Sequence, residues 1–497
     1  MDTGIKQKQI KHSFLYIVSV LVSNLVTLVS LPIFTRILSK EDYGIFALAE
    51  VFGMFVTGLA NFGMLIAYER NYFKYCDDRD KCAKLLYSTL LFTCANFTLF
   101  FLLACVLQKQ LSFLVFRSDK YGTLLIFNLL ADFIFSVQLY FLCFYKNSEN
   151  ARSNVSYSIT YCLLNFILAF SFIALLRIGV SGLIYAKLIA ASVITLVLVF
   201  CFLRQYPLSF DKSILFESVR LAYPLTPRIF LGVIGTKIDQ YIIGLLGSLG
   251  AVGVYNIGQR VASMVFVYMT SLENVFSPYV YKKMFEQKED NNRVIGQYLT
   301  IFAYISIFLA LCVAIFSSEI ISLLTPPAFR GAADIIIVLT LYYGFLFFNK
   351  ITGMQLLYAK KTHISAALII STYVLNIAMS IPFIIRWGAE GAAWATFLSG
   401  LISGTAYYIF AQKFYAIKWE YKKIGWIFLI FFSSATCVLY TKRLAPPYPV
   451  QLMLKMLLLS LYIMLGFLLG LISRSKFIFI KNALLKKTVE VCMVVGN

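Results

Sequence analysis

Residues 177–186 read RIGVSGLIYA and residues 386–395 read RWGAEGAAWA. Both spell Arg, any residue, Gly, two residues, Gly, two residues, an aromatic and Ala, and they stand 209 residues apart. The same offset relates LSKEDYGIF at 38–46 to GSLGAVGVY at 247–255, which aligns Gly44 with Gly253. Two separate matches at one offset point to a duplicated unit, and a unit of 209 residues fits twice into 497 with a remainder at the C-terminus.

The medium of the unit follows from composition. The chain is 60% hydrophobic and 13% charged, with a mean hydropathy of +0.81. In a soluble globular chain about 25% of the residues are charged. Runs such as SFLYIVSVLVSNLVTLVSLPIF at 13–34 reach the roughly 20 apolar residues that cross a bilayer. About fourteen such spans are expected, the first near 14–35 and the last near 450–472. Backbone polar groups must be paired inside hydrocarbon, and continuous rather than alternating apolar runs choose helices over a barrel. The first run leads into another span and shows no clear small-residue cleavage site, so it is read as a helix and not as a signal peptide.

Basic residues orient the chain. The N-terminus, every second connection and the C-terminal tail hold 28 of the 44 Lys and Arg, the alternate connections hold 10, and 6 lie within spans. The side with more Lys and Arg faces the cytoplasm, which predicts cytoplasmic termini. The formal net charge of +21 is then topological and lipid-facing; no basic domain is present that would bind nucleic acid. Ten Cys include no CxxC pair, and His12 and His363 are the only histidines, so no metal site or cofactor is expected.

With the spans in place, helices 1–6 form one copy and 7–12 the other. Six is even, so the two copies run parallel, related by an axis along the membrane normal. The chain divides into an N-terminal six-helix lobe at 1–210, a second six-helix lobe at 211–415, and two further helices with a basic tail at 416–497. The paired glycines at 179/182 and 388/391 fall in tight connections that need positive φ and close backbone approach. They are not a dinucleotide fingerprint, because no strand precedes them and no third Gly follows.

Two six-helix lobes with two extra helices resemble the polysaccharide-repeat flippases (Wzx type, also called O-antigen or capsule exporters), of the superfamily that also holds the multidrug and toxin extruders. LPIFTRILSKEDYGIFAL at 31–48, KIDQYIIGLLGSLGAVGVYNIGQRV at 237–261, GVSGLIYA and GAEGAAWA carry the resemblance, which covers essentially the whole chain. It implies translocation of an undecaprenyl-pyrophosphate-linked oligosaccharide from the cytoplasmic to the outer leaflet, with a polysaccharide polymerase as a pathway partner.

An ionisable group inside a span is costly and so a functional candidate. AYPLTPRIF at 222–230 opens helix 7 with Pro224 and Pro227, a candidate hinge. Arg228, Gly232, Gly235 and Asp239 then share a face at 3.6 residues per turn, with Lys237 nearly opposite. In helix 8, Asn256 and Arg260 share another. Arg228, Lys237, Arg260, Asn256, Lys187 and Lys350 are candidate substrate contacts. Asp239, Glu50 and Asp132 are candidates for sodium or proton coupling or for internal pairs, such as Arg260 with Glu50 or Lys187 with Asp132. Lys350 also lies close enough to the cytoplasmic end to snorkel. At the 209-residue offset, Arg228, Lys237, Asp239 and Arg260 align with Ser19, Leu28, Ser30 and Val51. Packing shared by both copies does not require these charges.

A pyrophosphate-linked substrate needs cationic groups in a wet cavity, and Arg adds bidentate geometry. Tyr, Phe and Trp make up 16% of the chain, surface on which sugar rings can lie. A multidrug extruder would favour acidic groups in the cavity. A membrane polymerase or glycosyltransferase would need a sizeable outer loop, so the chain is not expected to be an enzyme.

Overall fold

The computed structural model describes residues 3–76, 78–286, 290–444 and 446–471. Among these there is no strand. In chain order the helices are α1 (Thr3–Phe34), α2 (Lys40–Asn61), α3 (Met64–Tyr75), α4 (Arg79–Val106), α5 (Gln108–Phe116) and α6 (Gly122–Asn147). There follow α7 (Ala151–Phe170), α8 (Val180–Gln205), α9 (Lys212–Ala222), α10 (Thr226–Leu246), α11 (Leu249–Phe285) and α12 (Asn291–Ile315). The last are α13 (Ser317–Leu324), α14 (Ala332–Tyr358), α15 (Thr362–Phe414), α16 (Tyr421–Leu444) and α17 (Tyr448–Leu468). Ten of the described helices are long and apolar enough to cross a membrane, and the protein is a multi-pass membrane protein.

Local sequence sets the starts. Ser39 caps α2 in a reciprocal box with Asp42, each side chain accepting from the other's backbone N–H. This satisfies two amides that a helix end leaves open. Asp78, Asn150 and Asp211 cap α4, α7 and α9 in one direction, their side chains accepting from N–H groups of the first turn.

The 209-residue offset recurs in the architecture. α2 and α11 begin at 40 and 249, and the short helices α5 and α13 at 108 and 317. Gly179 has φ 65° and ψ −146°, and Gly388 has φ 60° and ψ −138°. Positive φ there favours Gly, which answers why the RxGxxG phrase is written twice. At Gly388 the 53-residue α15 is in fact two helices folded back on each other. Unbroken, it would hold Ser365 and Tyr407 about 60 Å apart at 1.5 Å per residue. Instead the Tyr407 hydroxyl donates to the Ser365 carbonyl at 2.9 Å. Gly391 completes the corner, since a Cβ there would overlap the Phe383 carbonyl.

By contacts the chain forms two compact units, Met1–Gly253 and Val254–Asn497. In the first, α10 packs on α2. Gly44 and Gly253 let the backbones of α2 and the first turn of α11 meet, for a Cβ on either would collide with a carbonyl of the other helix. The core of this unit is aromatic: Tyr68, Tyr140, Phe141, Phe144 and Phe202 are buried together with Leu85, Ile194 and Leu198.

In the second unit, α16 and α17 pack against α12. Tyr304 and Tyr462 stack with ring centroids 4.7 Å apart, and each hydroxyl donates to the other's carbonyl. Lys455, buried in α17, meets Glu319 of α13 at 2.6 Å, and Lys442 of α16 pairs with Asp334 of α14. At the repeat offset the first unit has Gln110 and Leu125 in place of Glu319 and Asp334. The carboxylates that fasten the C-terminal helices are thus written into one copy alone.

Candidate functional site

Three charges meet inside the first unit. Glu50 and Asp132 both lie in the first half of their helices, α2 and α6, and Lys187 lies near the start of α8. Lys187 Nζ reaches a carboxylate oxygen of each at 2.6 Å. Asn128, one turn before Asp132, donates to Asp132 Oδ2 and to the Ala49 carbonyl, both at 2.8 Å. Gly53 makes room, because a Cβ there would overlap the Asp132 carboxylate. Two acids on one ammonium bind α2, α6 and α8 at one level, and each charge has a partner inside a costly medium. The expected meeting of Asp132 and Lys187 is present. Glu50, read from sequence as a partner for Arg260, accepts from Lys187; the physical reason is that α2 and α8 bring both to the same depth.

The second unit carries its polar groups elsewhere. Glu273 and Lys350 lie in the later halves of α11 and α14, and their side chains meet at 2.8 Å. Lys350 does not simply reach for the helix end, as snorkelling would have it; it has a carboxylate partner and stands 5.3 Å from the Phe266 ring centroid. Both line a cavity of about 420 Å³ between α11, α14 and the two halves of α15. Tyr281, Tyr342, Tyr373, Tyr407 and Ser403 are among the residues of its wall.

Sequence reasoning singled out Lys350 but missed Glu273, Asn128, Gly53 and the cavity tyrosines. The repeat offset marks where the two copies differ. Glu273, Asn349, Lys350, Gly353, Ser403 and Tyr407 align with Met64, Tyr140, Phe141, Phe144, Ile194 and Leu198, all buried apolar or aromatic residues of the first unit.

The remaining candidates are divided between the units. Asp239 is buried and Lys237 half-buried in α10 of the first unit. The side chains of Pro227 and Arg228 lie outside the described residues. Pro224 falls in a single 3₁₀ turn, Tyr223–Leu225, between α9 and α10, and Thr226 beyond it donates to the carbonyls of Ala222 and Phe62. In the second unit Asn256 is buried, and among the described residues no hydrogen-bond partner meets its Oδ1. Arg260 is half-buried one turn further along α11.

Comparison with known proteins places this architecture. The solved structure of the lipid II flippase MurJ in an inward closed conformation has a similar fold, with a TM-score of 0.66 at 18% identity over 90% of this chain and 98% of that one. An inward-facing multidrug resistance MATE family transporter gives 0.61 at 15% identity, over 81% of this chain and 98% of that one. Among curated proteins, the "Probable low-salt glycan biosynthesis flippase Agl15" of Haloferax volcanii is 25% identical over 190 residues, 38% of this chain and 40% of that protein. The chain thus spans less than half the length of that curated relative. The MatE family model matches residues 224–381. The model for polysaccharide biosynthesis proteins matches residues 10–284, more than half of the sequence, and this chain belongs to that family.

Proposed function

We propose that the protein is a flippase that carries a lipid-linked oligosaccharide repeat from the cytoplasmic to the outer leaflet by alternating access. The observation that carries this reading is the placement of cationic groups inside apolar helices at positions where the other copy has none: Arg228, Lys237 and Arg260 align with Ser19, Leu28 and Val51. A diphosphate headgroup is the ligand for such groups, since Arg and Lys bind it by charge and Arg also by paired hydrogen bonds. Asn256 supplies a buried polar group one turn before Arg260. Membership of the family supports a role in polysaccharide synthesis, and the flippase named in Haloferax supports transport of a glycan rather than enzymatic chemistry.

The finer assignment rests on the family resemblance and, for the termini and the hinge, on the placement of basic residues and prolines in the sequence. Undecaprenyl pyrophosphate is the lipid, a surface polysaccharide is the product, and the bacterial inner membrane is the site, with both termini cytoplasmic. Pro224 and Pro227 serve as the hinge of helix 7, and a polymerase of the same pathway takes the product. Asp239, Glu50 and Asp132 are the groups through which sodium or protons would drive the cycle. A multidrug extruder is the second reading, favoured by the MatE match to part of the chain; the basic candidate contacts argue against a cationic cargo.

The test is transport in vesicles. Purified full-length protein is reconstituted, and a polyprenyl diphosphate carrying a labelled oligosaccharide is followed between leaflets. Movement faster than in protein-free vesicles is expected, reduced in Arg260→Gln and partly kept in Arg260→Lys, which retains the point charge. Equal rates with and without protein would end the proposal.

A further inference from the structure

The cavity of the second unit is the strongest unexplained feature. It holds about 420 Å³, within the roughly 300–1,000 Å³ of small-ligand sites. Its place in the first unit is taken by packed core: Phe141 and Phe144 are 2% and 6% exposed where Lys350 and Gly353 line the opening. Packing common to both copies therefore cannot account for it. A Cβ on Gly353 would meet nothing, so the glycine keeps a wall clear. Asn349 in the same lining has a buried Oδ1 that no hydrogen bond reaches among the described residues.

The lining selects the ligand. Lys350 and Glu273 neutralise each other at 2.8 Å, yet their side chains remain 33% and 23% exposed. An anion or a cation drawn to one partner also meets the repulsion of the other, 2.8 Å away, so the pair offers it little net attraction. A neutral hydroxyl meets no such repulsion. The ammonium has donors left over and the carboxylate has acceptor sites left over, so hydroxyls can bridge the intact pair. Phenol rings offer apolar faces beside polar tips. Neighbouring hydroxyls and one apolar face are the chemistry of a pyranose ring.

We propose that this cavity is a subsite for an uncharged sugar residue of the headgroup, with the Lys350–Glu273 pair reading ring hydroxyls and the tyrosines flanking the ring. This rests on the flippase reading above and deepens it: the diphosphate contacts accept any such lipid, and the cavity measures the glycan attached to it.

Two variants test it. Gly353→Phe writes the first unit's residue into the wall and fills the space. Lys350→Met with Glu273→Gln removes the pair without orphaning a charge. In reconstituted vesicles two probes are compared, a polyprenyl diphosphate bearing one hexose and the same lipid bearing a neutral tetrasaccharide. The ratio of tetrasaccharide to hexose transport is expected to fall about tenfold in both variants, the worth of one or two lost hydrogen bonds. An unchanged ratio overturns the subsite, whatever happens to the absolute rates. Saturation-transfer NMR with the free tetrasaccharide on detergent-solubilised protein separates this from the parent reading. Signal present in the wild type and lost in both variants supports the subsite even if no lipid moves in the vesicle assay. Equal signal, or none in the wild type, sinks the subsite while leaving transport to stand on its own test.

Discussion

The two units differ in where their helices carry charge and where they are packed with rings. In the first, charge sits in the earlier halves of α2 and α6, as Glu50 and Asp132 on Lys187, and further along the helices Tyr140, Phe141 and Phe144 close the bundle. In the second, the corresponding early stretch of α14 is buried and aliphatic, from Ile335 to Leu339, and the later stretch opens on a cavity with Lys350 and Glu273. A duplicated fold needs neither arrangement, since each copy does without the other's. The repeat thus marks which side-chain arrangements the shared helix pattern does not require.

The largest expected effect comes from breaking the first unit's cluster. Lys187→Met leaves Glu50 and Asp132 facing each other without their shared ammonium, and removing one partner of a buried pair costs about 3–5 kcal/mol. A sharp fall in folded yield and in the melting temperature of the detergent-solubilised protein is expected. Writing in the second unit's residues together, Glu50→Gln, Asp132→Leu and Lys187→Thr, removes all three charges and should recover much of the loss. If Lys187→Met melts like the wild type, the cluster does not hold α2, α6 and α8.

The next comparison sets two repeat-related positions against each other. Phe144→Ala deletes a buried ring, and such changes cost about 3–5 kcal/mol. Gly353→Ala places a methyl group in open space on α14 and gains roughly 1 kcal/mol of helix propensity. Thermal melts should therefore move in opposite directions at aligned sites. Equal destabilisation by both would mean that the second cavity is packed as tightly as the first core.

The smallest effect lies outside the spans. Lys74 of α3 donates to Glu217 of α9 at 2.7 Å, and Tyr75 donates to the same carboxylate. These hydrogen bonds, that of Lys74 first, hold the Glu217 carboxyl below its ordinary value, while the bond to Glu217 raises Lys74 above its own. The aligned Lys283 instead pairs with Glu286 in the next turn. A lowered carboxyl pKa contributes stability above its unfolded value, lost as pH falls through the folded one. Glu217→Gln should melt slightly below the wild type at neutral pH, and the gap should close below about pH 4 as the carboxylate is protonated. A gap that persists in acid would assign the effect to packing and not to charge.

Much of the fold could be read from the chain because its signals are local. The apolar runs and the glycines at 179 and 388 act through neighbours within a turn or two. The site was legible in part: Lys187, Asp132, Glu50 and Lys350 stood out as charges in hydrocarbon. The Asp132–Lys187 pair was among the expected ones, but Glu273 was not, because its pair with Lys350 joins separate helices, and whether the two meet depends on how those helices are rotated.

By itself the sequence determined that this is a helical, multi-pass membrane protein with phrases repeated at a 209-residue offset, because hydropathy and such an offset are properties of the chain in order. Only tertiary structure decided that α10 packs with the first unit, that Glu319 and Asp334 fasten the appended helices to the second, and that one copy is solid where the other is hollow. These depend on side chains meeting across helices, where a substitution of Phe by Gly or Lys has no meaning until the neighbouring wall is known.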